Sequence, residues 1–314
     1  MKQWKVGSRR SKLALTQTNW VIEHLKQFDP TVDFVVEEIV TKGDVILDVT
    51  LSKVGGKGLF VKEIEQSLLD KQTDLAVHSM KDVPSELQSG LVIGAVPKRV
   101  DPRDVLISRE GTTLDELPHA ALVGTSSLRR ASQLLAYRPD LRIESIRGNI
   151  DTRMRKLNEG NFDAIVLAAA GLERVEWEGA VSQYLPIDIS LPAVGQGALA
   201  IECRADDDEL LALLARLDDQ ETRLAVSAER AFLQRLQGGC QVPLGAYATL
   251  AGTGDDGTPS IRLTGFVGSP DGRRLFKHSQ TGSDPAALGR AVAEHLLSDG
   301  AGEVLAEVLE ENQG

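Results

Sequence analysis

Two short segments carry residue types that do covalent chemistry. His78-Ser79-Met80-Lys81-Asp82-Val83-Pro84 sets a carboxylate beside a cation, and Gly238-Gly239-Cys240 puts a thiol after two glycines. Lys81 keeps a neighbouring carboxylate ionised, and a thiol between two glycines and Gln241-Val242-Pro243 reads as part of a mobile loop rather than of an apolar face. Each has a plainer reading. An Asp two residues before a proline caps a turn, and a free cysteine is commonly an inert, buried hydrophobe. Cys203, inside the apolar run Leu199-Ala200-Ile201-Glu202-Cys203, fits that second description better than Cys240 does. Asp82 and Cys240 together suggest covalent chemistry on a charged small molecule.

The charge of that molecule is indicated by the arginines. Thr125-Ser126-Ser127-Leu128-Arg129-Arg130 and Arg147-Gly148-Asn149-Ile150-Asp151-Thr152-Arg153 concentrate guanidinium groups, with Arg138, Arg142 and Arg155 nearby, in a chain whose formal net charge is −11. Thr125, Ser126 and Ser127 close a strand and open a helix, where backbone N–H groups and the helix dipole favour an anion; the same residues are also ordinary N-caps. Arg129 and Arg130 in a first helical turn oppose that dipole, so a bound anion would offset the penalty, and guanidiniums match carboxylates in a two-pronged geometry. Arg9-Arg10-Ser11-Lys12 is a further cationic strand end, with Gln17 on the helix that follows. The set suits a small polyanion rather than a nucleic acid, which wants a net basic face and stacking aromatics; aromatic residues make up 4%. Gly55, Gly56 and Gly58 surround Lys57, but Gly58 stands where a phosphate loop needs Ser or Thr, so the segment reads as a mobile loop bringing Lys53 and Lys57 over a cleft. The scattered histidines and cysteines show no metal-binding spacing, so no metal is expected.

With 314 residues, 42% hydrophobic and 26% charged, the chain is expected to be globular and to divide into three domains. No apolar run reaches bilayer length and the N-terminus has no secretory pattern, so the expected setting is cytoplasmic, with free thiols. Short apolar runs alternating with amphipathic ones predict an α/β fold. Strands are predicted over 4–8, 32–40, 74–78 and 91–96, with helices over 12–28 and 58–71. A second unit has strands over 121–124, 141–146 and 163–168, and helices over 126–137 and 150–158. A strand over 198–203 rejoins the first sheet, helices follow over 208–217 and 221–236, and antiparallel strands over 242–250, 261–267 and 274–279 are backed by a helix over 285–297. The predicted domains are 1–97 with 198–217, 103–191, and 220–314, with hinges near Pro97 and Pro192. Asp82 then lies just past a strand's carboxyl end, where open α/β sheets bind ligands.

Gly7-Ser8-Arg9-Arg10-Ser11-Lys12-Leu13-Ala14-Leu15, Lys53-Val54-Gly55-Gly56-Lys57-Gly58-Leu59-Phe60, the His78 to Pro84 run, the two arginine segments, Leu191-Pro192-Ala193-Val194-Gly195-Gln196-Gly197-Ala198 and Gly239-Cys240 together resemble the hydroxymethylbilane synthase, or porphobilinogen deaminase, family. The resemblance covers nearly the whole chain and loosens beyond Leu250. It implies two periplasmic-binding-protein-like α/β domains with a third, smaller α+β domain. It further implies a transferase that joins four porphobilinogen units head to tail on a covalent dipyrromethane, releasing ammonia at each step and finally hydroxymethylbilane, in tetrapyrrole biosynthesis. It makes Cys240 the thioether attachment point and Asp82 the catalytic residue. Arg9, Arg129, Arg130, Arg147, Arg153 and Arg174 become the carboxylate-binding arginines, supported by Ser11, Gln17, Lys57, Ser79, Lys81, Thr125, Ser126, Ser127 and Gln196. The expected partners are porphobilinogen and the growing oligopyrrole, with no nucleic acid or membrane, and the expected state is a monomer. The competing expectation is a binding protein that holds a carboxylate-rich metabolite without transforming it.

Overall fold

A computed structural model describes residues 2–45, 58, 61–237, 242–254 and 257–311. The chain begins with β1 (Gln3–Arg9), α1 (Lys12–Phe28), β2 (Asp33–Ile39), the short α2 (Lys42–Val45), α3 (Lys62–Leu69), β3 (Leu75–Ser79) and β4 (Leu91–Ala95). It continues through β5 (Asp104–Ser108), β6 (Leu122–Gly124), α4 (Leu128–Tyr137), β7 (Arg142–Glu144), α5 (Ile150–Asn158), β8 (Ala164–Ala168), α6 (Ala169–Arg174) and β9 (Gln183–Tyr184). The last third holds β10 (Leu199–Arg204), α7 (Asp208–Leu214), α8 (Gln220–Arg235), β11 (Leu244–Thr253), β12 (Pro259–Gly268), β13 (Leu275–Gly282), α9 (Pro285–Leu296) and α10 (Gly302–Glu311).

These elements form two compact units. One comprises the described parts of Met1–Asp48 and Gly56–Val100 together with Gly197–Arg223; the other comprises Asp101–Gln196 and the described part of Leu224–Gly314. The first unit holds a five-stranded sheet in the order β2-β1-β3-β10-β4. β1 runs parallel to β2 and β3, whereas β10 is antiparallel to β3 and β4. Side chains alternate across the sheet. Leu75, Val77, Ile201 and Cys203 pack with Val21 and Leu25 of α1 and Leu210 and Leu214 of α7, while Ala76 joins Ile64 and Leu68 of α3 on the opposite face. The first helix forms where expected because Ser11 caps it, accepting a hydrogen bond from the Ala14 N–H, and because Val21, Ile22 and Leu25 give it one apolar stripe.

The second unit repeats that sheet order, β7-β6-β8-β5-β9, with β6 parallel to β7 and β8 and with β5 antiparallel to β8 and β9. β8, Ala164-Ile165-Val166-Leu167-Ala168, is apolar throughout because it is covered on both faces. The same unit contains the three-stranded antiparallel sheet β11-β12-β13. Its core joins Leu244, Ala246, Leu263 and Val267 to Phe232 of α8, Val292 and Leu296 of α9, and Val304 of α10; each fully buried large side chain contributes about 1.5–3 kcal/mol. The predicted second and third regions thus keep separate sheets and separate cores inside one compact unit.

Close backbone approach joins those two regions around α4. A Cβ on Gly245 would stand 2.6 Å from the Pro192 carbonyl oxygen and 3.0 Å from Cδ of Arg129. Gly272, at φ +73°, lies where a Cβ would be 2.6 Å from the backbone of Ser132 and Ala136. Only glycine fits either position, and the result is a helix buried from Arg129 through Leu134. Five elements lie outside the expected set: α2, β5, α6, β9 and α10. The strand preceding the 3-10 turn at Met80–Asp82 ends at Ser79, and the helix expected over 58–71 is ordered as Lys62–Leu69.

Candidate active site

In the first unit, β3 delivers its last residue, Ser79, to the edge of the sheet, and a single 3-10 turn over Met80–Asp82 follows. The turn is pinned from below. The Met80 N–H donates to the Ala198 carbonyl at 3.0 Å, the Val83 N–H donates to Met80, and the side chains of Met80 and Val83 are buried. Lys81 and Asp82 between them remain half-buried. No hydrogen bond or ion pair of the Asp82 carboxylate is found among the described residues. An acid held on a rigid turn with its charge unspent is available to a developing positive charge.

Neighbouring donors in this unit are locked by their own partners. The Gln17 side chain, buried in α1, donates from Nε2 to the Ser79 hydroxyl at 3.0 Å. Arg9, at the end of β1, places Nε and Nη2 on Asp44 at 3.1 and 2.5 Å, and Thr41 donates its hydroxyl to the same carboxylate at 2.7 Å. Burial pushes the Asp44 carboxyl up, but the bonds from Arg9 and Thr41 outweigh it and hold the group below the usual range. Ser11 is engaged as the α1 cap. Beneath the turn, His78 Nε2 lies 2.9 Å from Glu202 of β10, both side chains almost fully buried, and Oε1 of Glu202 has no hydrogen-bond partner among the described residues.

The second unit holds the arginine-rich site. Ser127 caps α4, accepting from the Arg130 N–H; Thr125 accepts from the Ser127 N–H; Ser126 donates to the Ile146 carbonyl at 2.6 Å. All three hydroxyls therefore brace the strand-to-helix corner. Arg129 and Arg130 are buried, and both reach one carboxylate, Asp104 at the start of β5. Arg129 donates from Nη1 at 2.7 Å and Nη2 at 3.2 Å, and Arg130 from Nε at 2.9 Å. Gln196 Nε2 and the Ser190 hydroxyl add bonds of 2.9 and 2.7 Å to the same group. Burial would raise the Asp104 carboxyl, but the two guanidiniums and these hydrogen bonds drive it far below the carboxylate range. Nothing in the residue pattern singled out Asp104, because it opens a short strand hidden behind the Arg99 to Arg103 segment.

Arg147 and Arg153 differ from that pair. No ion pair of either is found among the described residues, and a buried Nη1 of Arg147 has no hydrogen-bond partner among them. Arg153 donates from Nε to the Gly148 carbonyl at 2.9 Å. Burial first, and then the cations of Arg130 and Arg147, push the Arg153 guanidinium down to about 10. Burial likewise pushes Arg174, at the end of α6, down to about 10, partly offset by Glu173. Arg130, Arg147 and Arg153 thus form a cationic cluster with Asp104 as counter-charge to one side only, an arrangement that accepts further carboxylates. Lys57 and Cys240 lie outside the described residues. Among the described residues no cluster of His, Cys, Asp and Glu could hold a metal ion, and no helix is long and apolar enough to cross a membrane.

Comparison with known proteins gives this geometry a context. Residues 4–212 match the family described as "Porphobilinogen deaminase, dipyromethane cofactor binding domain", and residues 223–298 match "Porphobilinogen deaminase, C-terminal domain". The porphobilinogen deaminase of Brevibacillus brevis is 74% identical over 313 residues, covering 100% of both chains. Those of Halalkalibacterium halodurans and Geobacillus kaustophilus are each 59% identical, covering 98% and 99% of both chains. Among solved structures, the substrate-binding domain of a putative molybdenum ABC transporter from Clostridium difficile is similar at 11% identity with TM-score 0.44, covering 71% of this chain and 94% of the other. The arginine-specific periplasmic binding protein STM4351 of Salmonella typhimurium is similar at 13% identity with TM-score 0.41, covering 71% of this chain and 96% of the other.

Proposed function

Because the chain belongs to the porphobilinogen deaminase family, matched along its whole length, we propose that Asp82 is its catalytic residue and that Cys240 carries its dipyrromethane cofactor through a thioether. The enzyme is a hydroxymethylbilane synthase: it joins four porphobilinogen molecules head to tail with release of ammonia and frees the linear tetrapyrrole. The cofactor supplies the covalent primer from which the chain grows.

The substrate's aminomethyl group resembles lysine in basicity, with a pKa of about 10, and arrives protonated, so ammonia departs without a further proton. Positive charge then develops on the substrate's pyrrole ring. Asp82, rigidly held and without an ion pair among the described residues, stabilises that charge more than it stabilises the starting material. The carbon that attacks next must lose a proton, and the same carboxylate accepts it, so its two roles are separated in time.

Each pyrrole brings an acetate and a propionate. Arg147, Arg153 and the unspent donors of Arg129 and Arg130 bind them, with Arg9, Arg174, Lys57 and Lys81 as further cations and Ser11, Gln17, Ser79, Thr125, Ser126, Ser127 and Gln196 as orienting groups. The observation that carries this assignment is the buried, unpartnered guanidinium nitrogen of Arg147 beside Arg153, whose charge no described carboxylate offsets. Two clustered cations are expensive to bury without an anion, and carboxylates remove that cost. Gly245, which abuts Arg129, comes five residues after Cys240 in the sequence, which supports the cysteine as the tether. We also place the enzyme in the cytoplasm as a monomer, which the free buried thiol of Cys203 and the scatter of exposed large hydrophobic residues support.

Intact-protein mass spectrometry tests the assignment. The purified enzyme is expected to exceed its sequence mass by two linked pyrroles, and Cys240→Ser to match its own sequence mass. A Cys240→Ser protein that still carries the adduct would overturn the tether.

A further inference from the structure

Asp104 is not itself among the groups assigned to the substrate, but it holds three that are: Arg129, Arg130 and Gln196. It is fully buried at the start of β5 and receives five hydrogen bonds from four side chains: Arg129 Nη1 and Nη2, Arg130 Nε, Ser190 Oγ and Gln196 Nε2. Arg130 Nη2 adds a contact at 2.8 Å. A carboxylate offers about four lone-pair sites, and here they are filled. The remaining prongs of the guanidiniums are aimed by backbone: Arg129 Nη1 also donates to the Leu191 carbonyl at 2.6 Å, and Arg130 Nη1 to the Val166 carbonyl at 2.9 Å.

We infer that Asp104 is a positioning residue: one buried carboxylate fixes the orientation of two adjacent guanidiniums, and thereby decides which of their N–H groups are left for the carboxylates of the cofactor and substrate. Each guanidinium has five N–H donors. Asp104 and the backbone carbonyls consume one edge of each, so only the other edge is presented. Without Asp104, Arg129 and Arg130 would stand side by side as uncompensated buried cations next to Arg153, and they would rotate away from one another or toward any available carbonyl. Asp104 also cancels one of the positive charges, so the cluster binds carboxylates without holding them so tightly that the lengthening product is retained.

The inference rests on the reading that these arginines bind carboxylates. It is tested in the full chain with Asp104→Asn and Asp104→Glu, measuring thermal unfolding, cofactor occupancy by intact mass, and KM for porphobilinogen separately from kcat on the occupied fraction. Asp104→Asn keeps the size and removes the charge; Asp104→Glu keeps the charge and moves it by one methylene. The expected result is a cooperatively folded Asp104→Glu protein whose cofactor occupancy falls, or whose KM rises, at least fivefold, and a larger loss in Asp104→Asn where that variant folds. A folded Asp104→Glu protein with parental occupancy, KM and kcat would reduce Asp104 to a counter-charge and overturn the inference. Arg153→Gln is the control for the underlying reading. Parental occupancy and KM in Arg153→Gln would mean that the cluster does not bind carboxylates, whatever Asp104 does.

Discussion

Asp82 and Cys203 show how differently two ionisable side chains are treated. Asp82 is half-buried on a pinned turn with its carboxylate uncommitted among the described residues. Asp82→Asn preserves shape but removes the charge and the base, and is expected to leave thermal unfolding unchanged while lowering turnover of the cofactor-bearing protein by about 10²–10⁴-fold. Near-parental single-turnover rates would remove Asp82 from the mechanism. Cys203 is fully buried among apolar side chains, and burial pushes its thiol from 9.0 up to about 12. It is therefore expected to resist iodoacetamide in the folded enzyme. A thiol whose folded value lies above its unfolded value gives up stability as pH rises, because the unfolded chain ionises first. Urea denaturation should accordingly show the parent losing stability between about pH 9 and pH 12 more steeply than Cys203→Ala does; equal slopes would contradict this burial effect.

β3 is the element that carries the proposed catalytic turn. It presents Ser79 and the 3-10 turn at one end, and its own position is set by β1 on one side and β10 on the other. The buried His78–Glu202 pair ties β3 to β10 just below the turn. Removing one partner leaves the other a buried polar group without its hydrogen bond, at a cost of about 1–3 kcal/mol. His78→Leu is thus expected to lower the urea midpoint markedly, whereas His78→Leu combined with Glu202→Leu recovers much of the loss; equal losses in the single and double variants would show that the pair is not coupled. β3 itself was legible as a short apolar run leading into the His78 to Pro84 segment. β5 was not, although Val105-Leu106-Ile107 is as apolar as any strand here, because the charged Arg99 to Asp104 stretch before it reads as a crossing. The last charged residue of that stretch is not a solvated loop residue: Asp104 is buried by pairing with two arginines brought from α4, an event no local pattern announces.

The two α/β sheets share one strand order, and in each the antiparallel fourth strand is the first strand after the chain passes from one unit to the other. That repetition carries no obvious sequence identity, so it reflects the few ways a βαβ chain can return to its own sheet. The antiparallel sheet packs into the second unit by placing Gly245 and Gly272 against α4, which is why a helix start that reads as an open anion site is enclosed by protein. The large exposed hydrophobic residues, including Trp20, Tyr137, Tyr184 and Leu309, are spread over separate elements of both units, and a formal net charge of −11 opposes association. Sedimentation velocity is expected to show a single species at the mass of one chain plus cofactor across micromolar concentrations; a concentration-dependent shift toward twice that mass would contradict the monomer.

The residue order alone was enough for the family, and so for the overall reaction, and for most of the architecture. Asp82 beyond a strand end, a glycine-flanked Cys240, the arginine segments and the alternation of strand and helix periods are local signals, each written within a few neighbouring residues. What those arginines do individually was settled only by folding. Arg129 and Arg130 read like Arg147 and Arg153 in the sequence, yet the first two are paired with Asp104 and the second two have no ion pair among the described residues. The difference depends on a carboxylate 25 residues away on one strand and on two glycines that let a separate sheet close over the helix. Ion pairing and burial are set by distance in space, and only the packed chain defines that distance.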